Sequence, residues 1–213
     1  MKTISNKVIV TVMKLLSYAM FPFVLIALRD VELADAKGKL IKPFSEDCDN
    51  LDLKTVALSL SRVKRFFGQT KLSVAQHCVN IARVFIYQGK MMEAKQALLH
   101  ETSEAFMGDL VTPVKKLIFI FKLLEGVINK KVFKCYGLPY PVCAEVEKID
   151  KSIVYNEALA NMENHEHWNS FGKKCDEKFL QECGVELEPW SEEKAYEEFM
   201  ALCGKLFISD TTK

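Results

Sequence analysis

The densest chemistry in the chain lies in Ala97-Leu98-Leu99-His100-Glu101-Thr102-Ser103-Glu104-Ala105-Phe106-Met107-Gly108-Asp109, where an imidazole and three carboxylates interrupt an apolar run. On a helix, at about 100° per residue, His100 and Glu104 stand one turn apart on one face and Glu101 flanks them. The apolar residues before and between them put the acids at a buried edge. There an uncompensated carboxylate is costly, and a divalent cation offsets it. The simpler alternative is a solvated helix face with one histidine on it. Two other positions bear on the choice. His77 precedes Cys78 on the apolar face Val74, Cys78, Ile81, Ala82 and Phe85. Asp150 stands among Val146, Ile149, Ile153 and Val154, with Glu157 two turns on. A lone histidine on such a face is ordinarily a core residue. Two imidazoles and two carboxylates from three helices, His77, His100, Glu101 and Asp150, form instead a mixed nitrogen and oxygen set suited to Mn²⁺, Co²⁺, Fe²⁺ or Zn²⁺.

The elements that must position these groups follow from caps and periodicity. Asp52 or Asn50 caps a helix with Leu53, Val56, Ala57, Leu60 and Val63 on its apolar side, ending in Arg62-Val-Lys-Arg65-Phe66-Phe67-Gly68 with Gly68 as the stop. The basic residues there complement the helix dipole or meet a phosphate. Ser73 caps the helix of His77, and Gly89 stops it. The spacing predicts one helix from Glu93 to Gly108, and another from Thr112-Pro113 through Val114, Leu117, Ile118, Phe121 and Leu124 to Gly126. Tyr136 to Pro141 is a turn-rich connection. Asn161 to Cys175 is polar and reads as a loop or a frayed helix end; it holds His165 and His167, so a histidine-based site has to use His77 and His100. Ser191 caps a closing helix that faces Ala195, Phe199, Leu202 and Leu206 inward. Upstream, Ala36-Lys37-Gly38 between two short alternating runs predicts a β-hairpin, ended by Pro43.

Val8 to Leu28 is apolar and about as long as a bilayer crossing, with lysines ahead of it and Lys14 and Pro22 within it. Three readings stand: an extra packed helix or strand-and-helix appendage, a membrane-associating segment, or an upstream extension with no structural role. No small-residue cleavage site follows it. The chain of 213 residues suits one domain, and its net charge of +1 supplies no global field to recruit nucleic acid or an anionic membrane. Seven scattered cysteines with no C-x-x-C pair argue against a zinc ribbon or a secreted disulfide framework, and favour a cytoplasmic protein whose thiols are mostly core residues.

The local wording resembles the HD-domain metal-dependent phosphohydrolases, in the branch of the bacterial 5′-deoxynucleotidases and phage-encoded deoxynucleotide phosphohydrolases. Arg65-Phe66-Phe67-Gly68-Gln69-Thr70, Ser73-Val74-Ala75-Gln76-His77-Cys78, the block from Leu98 to Lys115, Ile149-Asp150-Lys151 and the Pro189-Trp190 helix carry the resemblance. It covers Arg29 to Phe207. It implies an all-α HD-type helical bundle over 29–213 with the small hairpin at its start, preceded by the hydrophobic extension 1–28. Where the family has His-Asp this chain has His100-Glu101, whose extra methylene moves the carboxylate outward by about 1.5 Å unless it folds back. Some relatives carry histidine where Gln69 stands.

The resemblance implies one divalent ion held by His77, His100, Glu101 and Asp150, activating a water that attacks phosphorus. Glu104 would then serve as general base or acid, Arg65 as the phosphate grip, and Lys115 as its assistant. Phe66 would pack on sugar or base, and Asp109 would accept a 3′-hydroxyl. Asp109 has two plainer roles, pairing with Arg65 or capping the Thr112 helix, and Lys115 has one, as plain surface. The implied activity is removal of the 5′-phosphate from deoxynucleoside monophosphates. Three alternatives stand beside it: hydrolysis of deoxynucleoside triphosphates, a degenerate HD protein that binds nucleotides without hydrolysis, and a purely helical interaction protein. The implied partners are a small deoxynucleotide and, by family tendency, a second copy in a homodimer. No nucleic acid is implied, and a membrane enters only through residues 8–28.

Overall fold

The structure, a computed structural model, describes residues 6–48, 51–115, 117–164 and 173–208. Asn50, His165 and His167 lie outside the described residues. Ten α-helices and one hairpin make up the described chain: α1 Asn6–Leu28, β1 Leu33–Ala34, β2 Leu40–Ile41, α2 Leu53–Arg62, α3 Val74–Tyr87, α4 Met91–Leu99, α5 Glu104–Met107, α6 Thr112–Lys115, α7 Phe119–Cys135, α8 Ala144–Asn161, α9 Glu177–Glu182 and α10 Glu192–Cys203. A π-helical turn, Gly204–Ile208, continues α10. The chain is thus mostly helical with one small antiparallel sheet, in which Leu33 faces Ile41 and Ala34 faces Leu40. Gly38, at φ 77°, makes the turn. The Asp35 carboxylate accepts the backbone N–H groups of Lys37 and Lys39, both at 2.8 Å.

The helix starts follow local chemistry. Asp52 accepts from the Lys54 N–H, Ser73 from the Gln76 N–H and Ser191 from the Lys194 N–H, each meeting a donor that the first helical turn leaves unpaired. The central helix is α3, buried along nearly its whole length and packed by α2, α4, α8 and α10. Its Val74, Cys78, Ile81 and Phe85 meet Leu60, Leu98, Ile128, Ile153 and Phe199 in one apolar core. Gln76 fixes the closing segment: its amide donates to the Glu186 and Glu188 carbonyls and accepts the Trp190 N–H at 2.8 Å.

Four expectations are corrected. Helix α2 stops at Arg62, because Val63 turns extended and the chain returns antiparallel: the Arg65 N–H donates to the Leu72 carbonyl and the Val74 N–H to the Val63 carbonyl. Gly68 therefore lies in a loop and stops no helix. The single helix expected from Thr112 to Gly126 is two, since α6 ends at Lys115 and α7 begins at Phe119, and Gly126 ends nothing because α7 runs through it to Cys135. The helix expected from Glu93 to Gly108 is broken at His100. Finally, Cys48 and Cys135 are joined in a disulfide, with Cα atoms 5.6 Å apart across 87 residues of sequence. Of the others, Cys78, Cys175, Cys183 and Cys203 are buried thiols and Cys143 is half-buried. Residues 8–28 lie in α1, which touches α7 and leaves most of its apolar surface exposed.

Candidate metal centre

The break at His100 shapes the site. Helix α4 ends at Leu99, and the Thr102 and Glu104 N–H groups then bond back only three residues, to Leu99 and Glu101. A broken helix leaves backbone groups unpaired, and Asn129 of α7 meets two of them. Its amide donates to the His100 carbonyl at 3.1 Å and accepts the Ser103 N–H at 2.9 Å. His100 and Glu104 therefore do not share the face of one helix, and their roles separate.

His100 turns toward His77, with ring centroids 5.4 Å apart. His77 Nε2 lies 3.1 Å and His100 Nε2 3.9 Å from Asp150 Oδ1, and Glu101 Oε1 lies 3.6 Å from His100 Nε2. One donor atom from each of the four residues falls within 4.8 Å of the others. Adjacent donors around a tetrahedral cation with bonds of about 2.1 Å are spaced by about 3.4 Å, so these three separations bracket the required value. The side chain of Glu101 folds back into the group despite its extra methylene.

The remaining imidazole bonds decide what the Nε2 atoms are for. His77 Nδ1 stands 2.7 Å from Glu157 Oε1, and His100 Nδ1 2.7 Å from the Ala97 carbonyl oxygen. A carbonyl and a carboxylate only accept, so each Nδ1–H donates and each Nε2 keeps a lone pair. Both Nε2 atoms are buried and neither has a hydrogen-bond partner. Imidazoles held at Nδ1 by an acceptor and open at Nε2 are the arrangement by which histidine binds a metal. The residues present therefore fit a divalent cation, and the ligands keep access to solvent on one side, Asp150 being 26% and Glu101 21% exposed.

The charges around the ring are mutually adjusted. Burial and the Arg65 charge work against protonating His77, and Glu157 with Asp150 outweighs them, raising its pKa. Burial likewise opposes ionising Asp150, and the two imidazoles outweigh it, holding the carboxyl well below its ordinary value. A proton at Nε2 competes with a metal ion for the same lone pair, and these shifts favour the proton where no cation is bound.

The other expected residues occupy a second circle. Arg65 is buried, its Nη2 3.4 Å from Glu157 Oε2 and its guanidinium 5.6 Å from the centre of the Phe66 ring. Burial opposes its charge, but Glu157, Asp150, Glu101 and Glu104 together outweigh that and hold the guanidinium ionised. Its Nε remains without a partner. Phe66 and Phe67 both take φ 57°, a left-handed conformation costing about 1–2 kcal/mol per non-glycine residue. Asp109 accepts the Phe67 N–H at 3.3 Å and so braces this loop, a role different from capping the Thr112 helix. Lys115 is no plain surface group, for its Nζ bridges Glu104 Oε1 at 2.9 Å and Glu125 Oε1 at 2.7 Å. Burial, with Glu101 adding to it, pushes the Glu104 carboxyl up to about 9.

Glu157, Glu125 and Asn129 carry parts of this arrangement that residue patterns did not assign. Glu157 had a visible signal, an acid two turns from Asp150 on an apolar helix. Glu125 and Asn129 had none.

No protein-family model matches the chain. A stretch of 111 residues, 51% of the chain, is 31% identical to the uncharacterized protein YfdR of Escherichia coli and spans 60% of that protein. A stretch of 160 residues, 68% of the chain, is 26% identical to an uncharacterized protein of Rhodobacter capsulatus and spans 81% of it.

Proposed function

We propose that this chain is a metal-dependent phosphohydrolase of the HD type, acting on deoxynucleoside 5′-monophosphates to release phosphate. The observation that carries the reading is the pair of buried, unpartnered Nε2 atoms of His77 and His100 facing the Asp150 carboxylate, with both Nδ1 positions tied down. When bound, a divalent ion supplies Lewis-acid activation of water and of the phosphoryl oxygens. Everything else falls to the protein. Arg65, ionised and with an unused Nε donor, grips the phosphate and offsets the charge that grows on its oxygens. Glu104 keeps its proton up to about 9 and has Oε2 unpartnered, which suits it to protonate the departing 5′-oxygen. Phe66, under the Arg65 guanidinium, offers an aromatic wall to the sugar or base.

A second reading, nucleotide binding without turnover, draws on Lys115 and Arg65, both already engaged by carboxylates. The test is to incubate the purified protein with each deoxynucleoside mono- and triphosphate and Mn²⁺ or Co²⁺, and to identify the products. Phosphate and deoxynucleoside from monophosphates support the proposal. Triphosphate release, or binding with no product from any of them, overturns it.

A further inference from the structure

Helix α1 is organised in a way that the chemistry of the metal centre does not use. At about 100° per residue, its half-buried residues Ser17, Phe21, Val24, Leu25 and Leu28 fall within an arc of about 100°, the side by which α1 lies against α7. Lys7 and Lys14 fall in the same arc. The rest of the circumference, about 260°, carries no charged residue. Its middle is formed by Val8, Val12, Leu15, Leu16, Phe23 and Ile26, all exposed, with Phe23 and Ile26 each 73% exposed. From Lys7 to Leu16 the helix is exposed on every side.

Soluble monomers do not leave so large a continuous apolar surface in water. Three features identify what covers it. The stretch Lys7–Leu28 has a mean hydropathy of 2.0, and its 22 residues make about 33 Å of helix against a hydrocarbon core of about 30 Å. The hydroxyls of Thr11 and Ser17 donate to the carbonyls four residues back, at 2.8 Å to Lys7 and 2.9 Å to Met13, so neither needs water. Finally, the two lysines sit off the apolar arc, with stems long enough to carry their ammonium groups to a polar boundary.

We infer that α1 is a membrane anchor, whose uncharged arc inserts into the hydrocarbon of a lipid bilayer and tethers the helical domain there. The test uses the purified full chain and vesicles of zwitterionic phosphatidylcholine, which offer no net charge to the lysines. The chain floats with the vesicles and stays bound through a high-salt wash. The double variant Leu16→Asp, Phe23→Asp places charges in the middle of the arc; it lowers the bound fraction by about tenfold or more. Its near-ultraviolet circular dichroism, measured alongside, stays that of the parent chain and reports that the domain is folded. Four results overturn the inference: a parent chain that stays unbound as a monomer, a lipid-free dimer that buries the arc against a second copy, release by salt, or equal flotation of parent and variant.

Discussion

In the cluster of Glu104, Lys115 and Glu125 the countercharge is a side chain, a lysine within 2.9 Å of the buried Glu104 carboxyl and the partly buried Glu125 carboxyl. Around Asp150 and Glu101 it is left to two imidazoles whose Nδ1 atoms are already spoken for and whose Nε2 atoms meet no hydrogen-bond partner. Both clusters bury charge at a cost that must be offset. The first cluster is closed by its own cation, and the carboxyl that the lysine leaves uncompensated keeps its proton. The second has two open imidazoles, where a metal ion could close it. That contrast separates the group that could hold a metal ion from the cluster beside it.

The largest effect is expected from removing the oxygen that both imidazoles face. Asp150→Asn keeps the size of the side chain and deletes its charge, so metal retained after dialysis, read by elemental mass spectrometry, falls with a loss in affinity of about 100-fold or more. Helical content by circular dichroism stays unchanged. Undiminished metal in this variant would erase the distinction between the clusters. Next comes Glu157→Gln. Glutamine can still accept from His77 Nδ1 but no longer offers a charge to His77 or Arg65, and affinity in chelator competition falls by about tenfold, the low end for an outer partner of a metal ligand. An unchanged affinity would show that the Glu157 charge tunes nothing at His77.

How much of this was legible follows from the range of the interactions. The caps Asp52, Ser73 and Ser191 bond to backbone two or three residues on, and His77 and Asp150 lie on helices whose apolar spacing is visible, so these could be read from residue order. The break after Leu99 could not. Ala105, Phe106 and Met107 continue the apolar pattern across it, and what stabilises the gap is Asn129, 26 residues beyond Ser103. Lys115 tells the same lesson: its spacing gives a basic residue near the site, while its two carboxylate partners are fixed by how α7 packs. The Cys48–Cys135 disulfide joins residues 87 apart with no motif around either, and the odd cysteine count pointed the other way.

The smallest effect probes the closed cluster. A lysine shared between two carboxylates cannot neutralise both, and burial adds to the repulsion from Glu101, which is why Glu104 holds its proton up to about 9 against an ordinary 4.5. The folded chain therefore keeps a proton that the unfolded chain releases, and stability declines as pH rises between those two values. His77 and His100 contribute a decline of the same sign that is already at half its slope at their ordinary value of 6.5, and Asp150, held low, contributes only in acid. The window between pH 5 and about 5.5 is therefore dominated by the carboxylates of the closed cluster. Denaturant unfolding of the metal-free protein across it shows stability falling with pH. Glu104→Gln removes up to about 1.4 kcal/mol per pH unit of that slope, leaving the part due to Glu125, whose carboxyl burial also pushes up. An identical slope in the variant would mean that Lys115 neutralises Glu104 after all, and that the cluster offers the reaction no proton near neutral pH.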